Sequence, residues 1–412
     1  MKILFVSESI WMTGVVYDLH MMAEGLSLLG HEVYAIDPGI QFQDHCHNAS
    51  SNEFQKVSRV YPNANVHLLS PIIPKPPFRV FNLDCNRTIR RIYRYFKIGN
   101  EIKKILREVT IDIIMLYSAV RSGRQAVKIA NKFKIPIVFR NVDMLHKLWP
   151  TAFDRKLAKI FEKMVYARVD KLLALTPKYA EYLINLGAHK SKVDLLLFPI
   201  DMEKFNPSID NYEIRQSWGL SRDDKLIVFM GTLYEFGGVD EFTRQFPSVL
   251  KEIPQAKLLI VGDGPLRPAL EKIITELKIV DRVIITGYQP FELMPQFINS
   301  ATVCINVFPL NGTTRNLFSA KIIQYLSCQK ATVSSSLPGI KTLIKEKSSG
   351  VLYADSIDGL NKIIIELIRF PKKREELAMS GRKYVNEFHR HDKIILRLEK
   401  ILQSHVEVEN AT

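Results

Sequence analysis

The sequence predicts two doubly wound α/β domains in series, and three observations carry that expectation. Short apolar runs bounded by turn residues alternate with stretches of helical periodicity, the pattern of parallel strands covered on both faces. The series breaks across polar, irregular residues 206–224 and starts again at Lys225. At 412 residues the chain is also long for one hydrophobic core. The expected boundaries are 1–205 for a first domain, 206–224 for a connection, 225–385 for a second domain and 386–412 for a terminal helical segment.

In the first domain Lys2–Val6 reads as a buried strand, Val16–Leu29 as a helix ended by Gly30, and Glu32–Ile36 as the next strand. Gly14 sits in the first strand-to-helix turn. It is either a point of close backbone approach to a ligand or an ordinary loop glycine. His31 sits at the opposite end and reads as structural. Asp44–His45–Cys46–His47 resembles a metal cluster, but adjacent residues of an extended chain point to alternating sides, so a mobile loop is expected there. From 87 to 107, Arg87, Arg90, Arg91 and Arg94 share one helical face and Ile89, Ile92, Tyr93 and Phe96 the next. That basic amphipathic run is a candidate for contact with an anionic membrane surface, or a solvated helix face. Ile111–Leu116 and Ile135–Phe139 are further strands. Just past the second lie Arg140 and Asp143, where α/β sites collect; either faces a ligand or is a structural loop residue. Lys171–Ala174 and Val193–Pro199 continue the sheet.

In the second domain Lys225–Phe229 leads into a turn holding Gly231, Gly237 and Gly238. Three glycines between strand and helix suit a backbone cradle for a diphosphate. Lys257–Val261 ends in Gly262–Asp263–Gly264–Pro265, Val283–Thr286 leads to Gly287–Tyr288, and Val351–Ala354 is a last strand. The run Ala301–Val307 is a buried strand followed by a polar turn and a helix with Ser319 in a capping position. On that helix Lys321, Gln324 and Cys328 share one face and Ile322, Ile323 and Leu326 another. A helix N-terminus flanked by Arg315 and Lys321 suits a phosphate group.

Composition narrows the class. Hydrophobic residues are 47 % and charged residues 24 %, a globular balance. No run of eighteen apolar residues exists, so no membrane span is expected. The opening run Met1–Val6 is too short for a signal peptide and is followed by Glu8. The four cysteines, Cys46, Cys85, Cys304 and Cys328, lack metal or disulfide spacing, which fits a reducing cytoplasm. A net charge of +14 implies an anionic partner. Nucleic acid is not expected, because no recognised binding motif accompanies the charge.

The stretch Ala320–Lys321–Ile322–Ile323–Gln324–Tyr325–Leu326–Ser327, followed by Lys330–Ala331–Thr332–Val333–Ser334, is similar to the donor-sugar helix of GT-B glycosyltransferases, specifically the retaining group called family four, the glycosyl transferases group 1. Members read Pro-x-Lys-x-x-Glu-Tyr; Lys321 and Tyr325 match. Gln324 stands where the Glu that binds the nucleotide ribose is expected, and Asn316 where a second Glu lies near the sugar. Thr232 and Gly237 occupy places usually held by an Arg and a Lys. Val142 stands where a His precedes the Asp, here Asp143. Gly14 remains of two glycines in the first turn, and Tyr288 lies where the family borders the base.

The resemblance implies a GT-B fold: two Rossmann-like domains facing each other across a cleft, with the terminal helix crossing back to the first. It implies an acceptor on the first domain and a nucleoside-diphosphate sugar on the second. The implied reaction is retaining transfer to a glycan, lipid-linked or other hydroxyl. The donor set would be Gly14, Gly231, Thr232, Gly237, Gly238, Gly262, Asp263, Gly264, Tyr288, Arg315 and Gln324. Lys321, Asp143 and Asn316 are the candidates for chemistry. The charge on the departing diphosphate would be offset by glycine N–H groups, Lys321 and the helix terminus, so neither a metal nor another cofactor is expected. The cysteines point to the cytoplasm, and the basic run 87–107 makes a peripheral position on the inner face of the membrane a candidate location. Two alternatives keep the architecture: a nucleotide-sugar 2-epimerase, and a non-catalytic binding or partner subunit.

Overall fold

The computed structural model describes residues 1–7, 11–12, 15–37, 54–70, 98–117, 119–120, 122–149 and 151–410. Gly14, the 44–47 segment and residues 87–97 of the basic run lie outside them. The chain divides into two compact units, Met1–Pro199 with Asp392–Thr412, and Ile200–His391.

The first unit is built on an eight-stranded sheet. Its strands are β1 (Lys2–Val6), β2 (Glu32–Ile36), β3 (Gln55–Val57), β4 (Val66–Leu69), β5 (Ile113–Leu116), β6 (Ile137–Asn141), β7 (Lys171–Ala174) and β8 (Val193–Leu195). They lie in the order β3-β4-β2-β1-β5-β6-β7-β8. All neighbours are parallel except β3, which pairs antiparallel with β4. The order reverses at β1, which pairs with β2 on one side and β5 on the other. The apolar runs are buried on both sheet faces, as parallel strands require.

The helix His391–Asn410 closes this unit. Its Ile394, Ile395, Leu398 and Leu402 are buried in the same core as Ile3, Phe5, Leu19 and Met115. His31 ties it down: Nε2 lies 2.7 Å from Glu399 Oε1, and Nδ1 3.2 Å from the α-amino group of Met1. That is a structural role for His31.

The second unit holds a six-stranded, all-parallel sheet of β9 (Lys225–Met230), β10 (Ala256–Val261), β11 (Val283–Ile285), β12 (Val303–Asn306), β13 (Thr332–Ser335) and β14 (Val351–Ala354). The order is β11-β10-β9-β12-β13-β14, reversing between β9 and β12. Residues 206–224, read on sequence as a connection, are knit into this unit. They contain the short helix Tyr212–Ser217. Arg215 donates to the Ser300 carbonyl at 2.9 Å, and the Asn299 amide donates to the carbonyls of Asn206 and Ile209 at 2.8 Å each. The segment looked irregular because its structure comes from these side-chain-to-backbone bonds rather than from apolar periodicity.

Candidate functional site

The candidate residues of the second unit gather where its strand order reverses. β9 and β12 are neighbours there, and their loops leave the carboxyl edge of the sheet, the edge at which open α/β sheets hold ligands. β9 runs into Gly231 and β10 into Gly262. Backbone bonds lace the two loops. Gly231 N–H donates to the Val261 carbonyl and Leu233 N–H to the Asp263 carbonyl, both at 2.9 Å. Gly262 has φ +150°, and a Cβ there would stand 2.1 Å from the Gly231 carbonyl oxygen. A Cβ at Gly264 would meet the Leu233 oxygen at 2.6 Å, and one at Gly238 would meet Pro309 Cδ at 3.1 Å. Close packing of one loop on another is therefore enough to demand glycine at 262 and 264; at 238 the contact is tight and the positive φ of +70° adds the reason. Gly237 N–H donates to the Tyr234 carbonyl at 2.9 Å and closes the turn; Thr232 is half-buried, its carbonyl accepting from Tyr234 N–H at 3.1 Å.

Gly231 differs, because what a Cβ would meet there is a cation: Lys321 Nζ, at 2.9 Å. Lys321 lies in the first turn of the helix Ala320–Ser327. Its ammonium sits over the rings of Phe229, 4.2 Å from the centroid, and Phe308, 5.3 Å away. Among the described residues no carboxylate pairs with it. Desolvation pushes its pKa down to about 7. A half-buried cation against a strand end, with no carboxylate partner among the described residues, has the chemistry that suits an anion.

The helix start reinforces this. Ser319 holds the capping position, but its hydroxyl makes no cap bond. It donates instead to Asn306 Oδ1 at 2.7 Å, and Asn306 Nδ2 donates to Ser334 Oγ at 2.9 Å. The expected side-chain cap is absent because a buried asparagine on β12 takes the hydroxyl. The first N–H groups of the helix have no side-chain cap. The helix is not a surface element: Ile322, Ile323, Tyr325, Leu326 and Cys328 are fully buried. Burial pushes the Cys328 thiol up to about 12, so it is a packing residue. Gln324, three residues on from Lys321, is buried except for a small part of its surface.

Sequence reasoning missed a contact that organises this corner. The Tyr325 hydroxyl accepts the Met230 N–H at 2.9 Å, fastening the helix to the last residue of β9. A tyrosine in an otherwise aliphatic helix face was the available signal.

The remaining candidates lie around this core or apart from it. Asp263 accepts from its neighbour Gly264 N–H at 2.8 Å and pairs with Arg267 at 2.9 Å. Tyr288 is exposed, as is the side chain of Arg315, whose carbonyl accepts from Gly339 N–H at 2.9 Å. The Asn316 backbone packs on Gly339, where a Cβ would stand 2.6 Å from its Cα. Asp143 belongs to the first unit, two residues past β6. Its carboxyl accepts from Met144 N–H at 3.2 Å and from the Tyr179 hydroxyl at 3.4 Å. Desolvation raises its pKa to about 6. Arg140 is not a ligand-facing residue: it is fully buried and pairs with Asp18 Oδ2 at 2.9 and 3.0 Å.

Comparison with known proteins agrees with this architecture. Residues 12–204 match the family model described as Glycosyltransferase Family 4, and residues 224–369 the model for Glycosyl transferases group 1. The alpha-monoglucosyldiacylglycerol synthase of Acholeplasma laidlawii is 21 % identical, over 70 % of this chain and 71 % of its own. The N-acetyl-alpha-D-glucosaminyl L-malate synthase of Bacillus anthracis is also 21 % identical, over 92 % and 91 %. Among solved structures, Anabaena HepE in complex with UDP and glucose superposes with a TM-score of 0.71 at 16 % identity, covering 98 % of this chain and 100 % of that one. The sucrose-phosphate synthase of Thermosynechococcus elongatus gives 0.76 at 14 % identity, covering 99 % of each. With both units matched and the whole chain following GT-B neighbours, this protein belongs to the glycosyl transferases group 1 as a divergent member and is a glycosyltransferase.

Proposed function

We propose that this glycosyltransferase takes its sugar from a nucleoside diphosphate bound to the second unit and passes it, with retention, to a glycan or lipid-linked hydroxyl bound to the first. The observation that carries the reading is the unpaired Lys321 ammonium beside Gly231 and an uncapped helix terminus. In the step proposed, the bond between the anomeric carbon and the diphosphate oxygen breaks. The acceptor oxygen bonds to that carbon, and its proton leaves with the diphosphate. Lys321 and the loop N–H groups offset the charge on the leaving oxygen, the task a metal performs in other folds, so transfer proceeds without one. Gln324 holds the ribose, Tyr288 borders the base and Asn316 lies beside the sugar. Arg315 adds a second cation, and Asp143 is the first unit's candidate for the chemistry.

The donor class is supported by the UDP and glucose of the Anabaena neighbour, and a lipid acceptor by the diacylglycerol in the name of the Acholeplasma relative. Among the described residues no helix is long and apolar enough to cross a membrane. Peripheral attachment at the cytoplasmic face suits a lipid-linked acceptor.

A panel of nucleotide-sugars read by thermal shift tests the reading, with Lys321→Ala beside the parent. The parent is expected to be stabilised by one donor and the variant by none. An equal shift in both would remove Lys321 from the site. Binding without transfer to any acceptor, or transfer abolished by chelator, would overturn the chemistry proposed.

A further inference from the structure

The helix Ala152–Tyr166 of the first unit has its burial inverted. It buries a carboxylate and exposes a phenylalanine. Glu162 is fully buried, accepting from the hydroxyls of Tyr166 at 2.9 Å and Tyr182 at 2.5 Å, with His146 Nδ1 at 2.6 Å. Ala158, Val165 and Tyr166 are buried with it. Those bonds fix the rotation of the helix about its axis. The opposite face then carries Phe153, 75 % exposed, Leu157, 39 %, and Ile160, 46 %. Their spacing of four and three places them in one stripe, continued by half-buried Met164.

The borders of the stripe are cationic. Lys156, Lys159 and Lys163, all exposed, run along one side. On the other side Phe161 carries the Arg124 guanidinium 4.6 Å above its ring. Asp154, in the first turn, is held at the helix start by the Thr151 hydroxyl at 2.9 Å. Long lysines beside a narrow apolar ridge can lay their stems on the same apolar layer and keep their heads among anions.

We propose that this helix face docks the protein on an anionic lipid bilayer, lying flat in the headgroup region with Phe153, Leu157 and Ile160 inserted. Charge decides the occupant. A second copy of the chain would set one cationic rim against another, whereas anionic headgroups complement both. The ridge is one helix wide, which suits insertion between lipids better than a broad protein contact. The proposal goes beyond the transfer reading and does not depend on it. It also names a different segment of the sequence from the basic run 87–107.

The test is co-sedimentation of the full chain with vesicles of phosphatidylcholine alone or mixed with phosphatidylglycerol. Binding to the mixed vesicles is expected, weakening with salt. Phe153→Ser with Ile160→Ser should lower that partition about tenfold. Lys156→Glu with Lys159→Glu and Lys163→Glu should remove the preference for anionic vesicles. Both variants alter exposed side chains, so the thermal transition and any nucleotide-induced shift should match the parent. Equal vesicle binding by parent and Phe153→Ser/Ile160→Ser would overturn the proposal, as would no binding to either vesicle. A parent that dimerises through this face, shown by ultracentrifugation and lost in the serine variant, would also overturn it.

Discussion

Lys321 carries a testable sign. Its pKa lies near 7 in the folded state and would be 10.5 unfolded, so between those values the unfolded chain binds more protons. Folding therefore bears a penalty that is full below pH 7 and fades as the pH rises toward 10.5. Lys321→Met should raise the melting temperature of the ligand-free protein, more at pH 6 than at pH 10. A donor diphosphate needs the ammonium protonated, so donor affinity should fall above pH 7 by up to about tenfold per pH unit. A flat affinity profile would detach the lysine from the phosphates. Asp143 has the opposite chemistry. Its pKa is raised from 3.8 to about 6, so the cost of its buried charge is absent below pH 3.8 and full above pH 6. Asp143→Asn should raise the melting temperature at pH 7 and leave it unchanged at pH 3.5. Tyr325→Phe leaves the Met230 N–H without its acceptor, at a cost of about 1–3 kcal/mol in urea denaturation.

The loops show which glycines are structural. Gly262→Ala would force a Cβ onto the Gly231 carbonyl at a positive φ. It should cost roughly 3 kcal/mol, measured by urea denaturation. Gly312→Ala has open space around its Cβ and should be near neutral. Most of the parallel strands were legible because a sheet covered on both faces writes itself as apolar runs such as Leu226–Met230; β4, four residues long and broken by His67, was not read. β3 was not, because Gln55 and Lys56 are exposed on an edge and its pairing with β4 is set at long range. Lys321 and Gly231 each stood out on sequence. Nothing in their spacing says that they touch, since the contact depends on how a helix lies across two strand ends. The Ser319 hydroxyl misled for a related reason: the local cap it suggests loses to a tertiary bond with Asn306.

Taken whole, the molecule has one continuous unit and one assembled from distant parts. Residues 200–391 contain their own sheet and core, so that fragment should unfold in a single cooperative transition. Deleting 392–410 removes four buried side chains from the first unit's core, worth roughly 6–12 kcal/mol by area. That is comparable with the whole stability of a domain, about 5–15 kcal/mol. The truncated chain should show one transition where the parent shows two.

The helix that seals the first core has a consequence for synthesis. A ribosome makes the eight strands of that core, then every residue of the other unit, before it reaches Ile394. The half that is translated earliest thus waits, with an apolar flank open, while its successor is able to fold behind it. Growing chains stalled just before residue 391 should accordingly recruit chaperones at the first unit, and release from them should follow the emergence of the last helix.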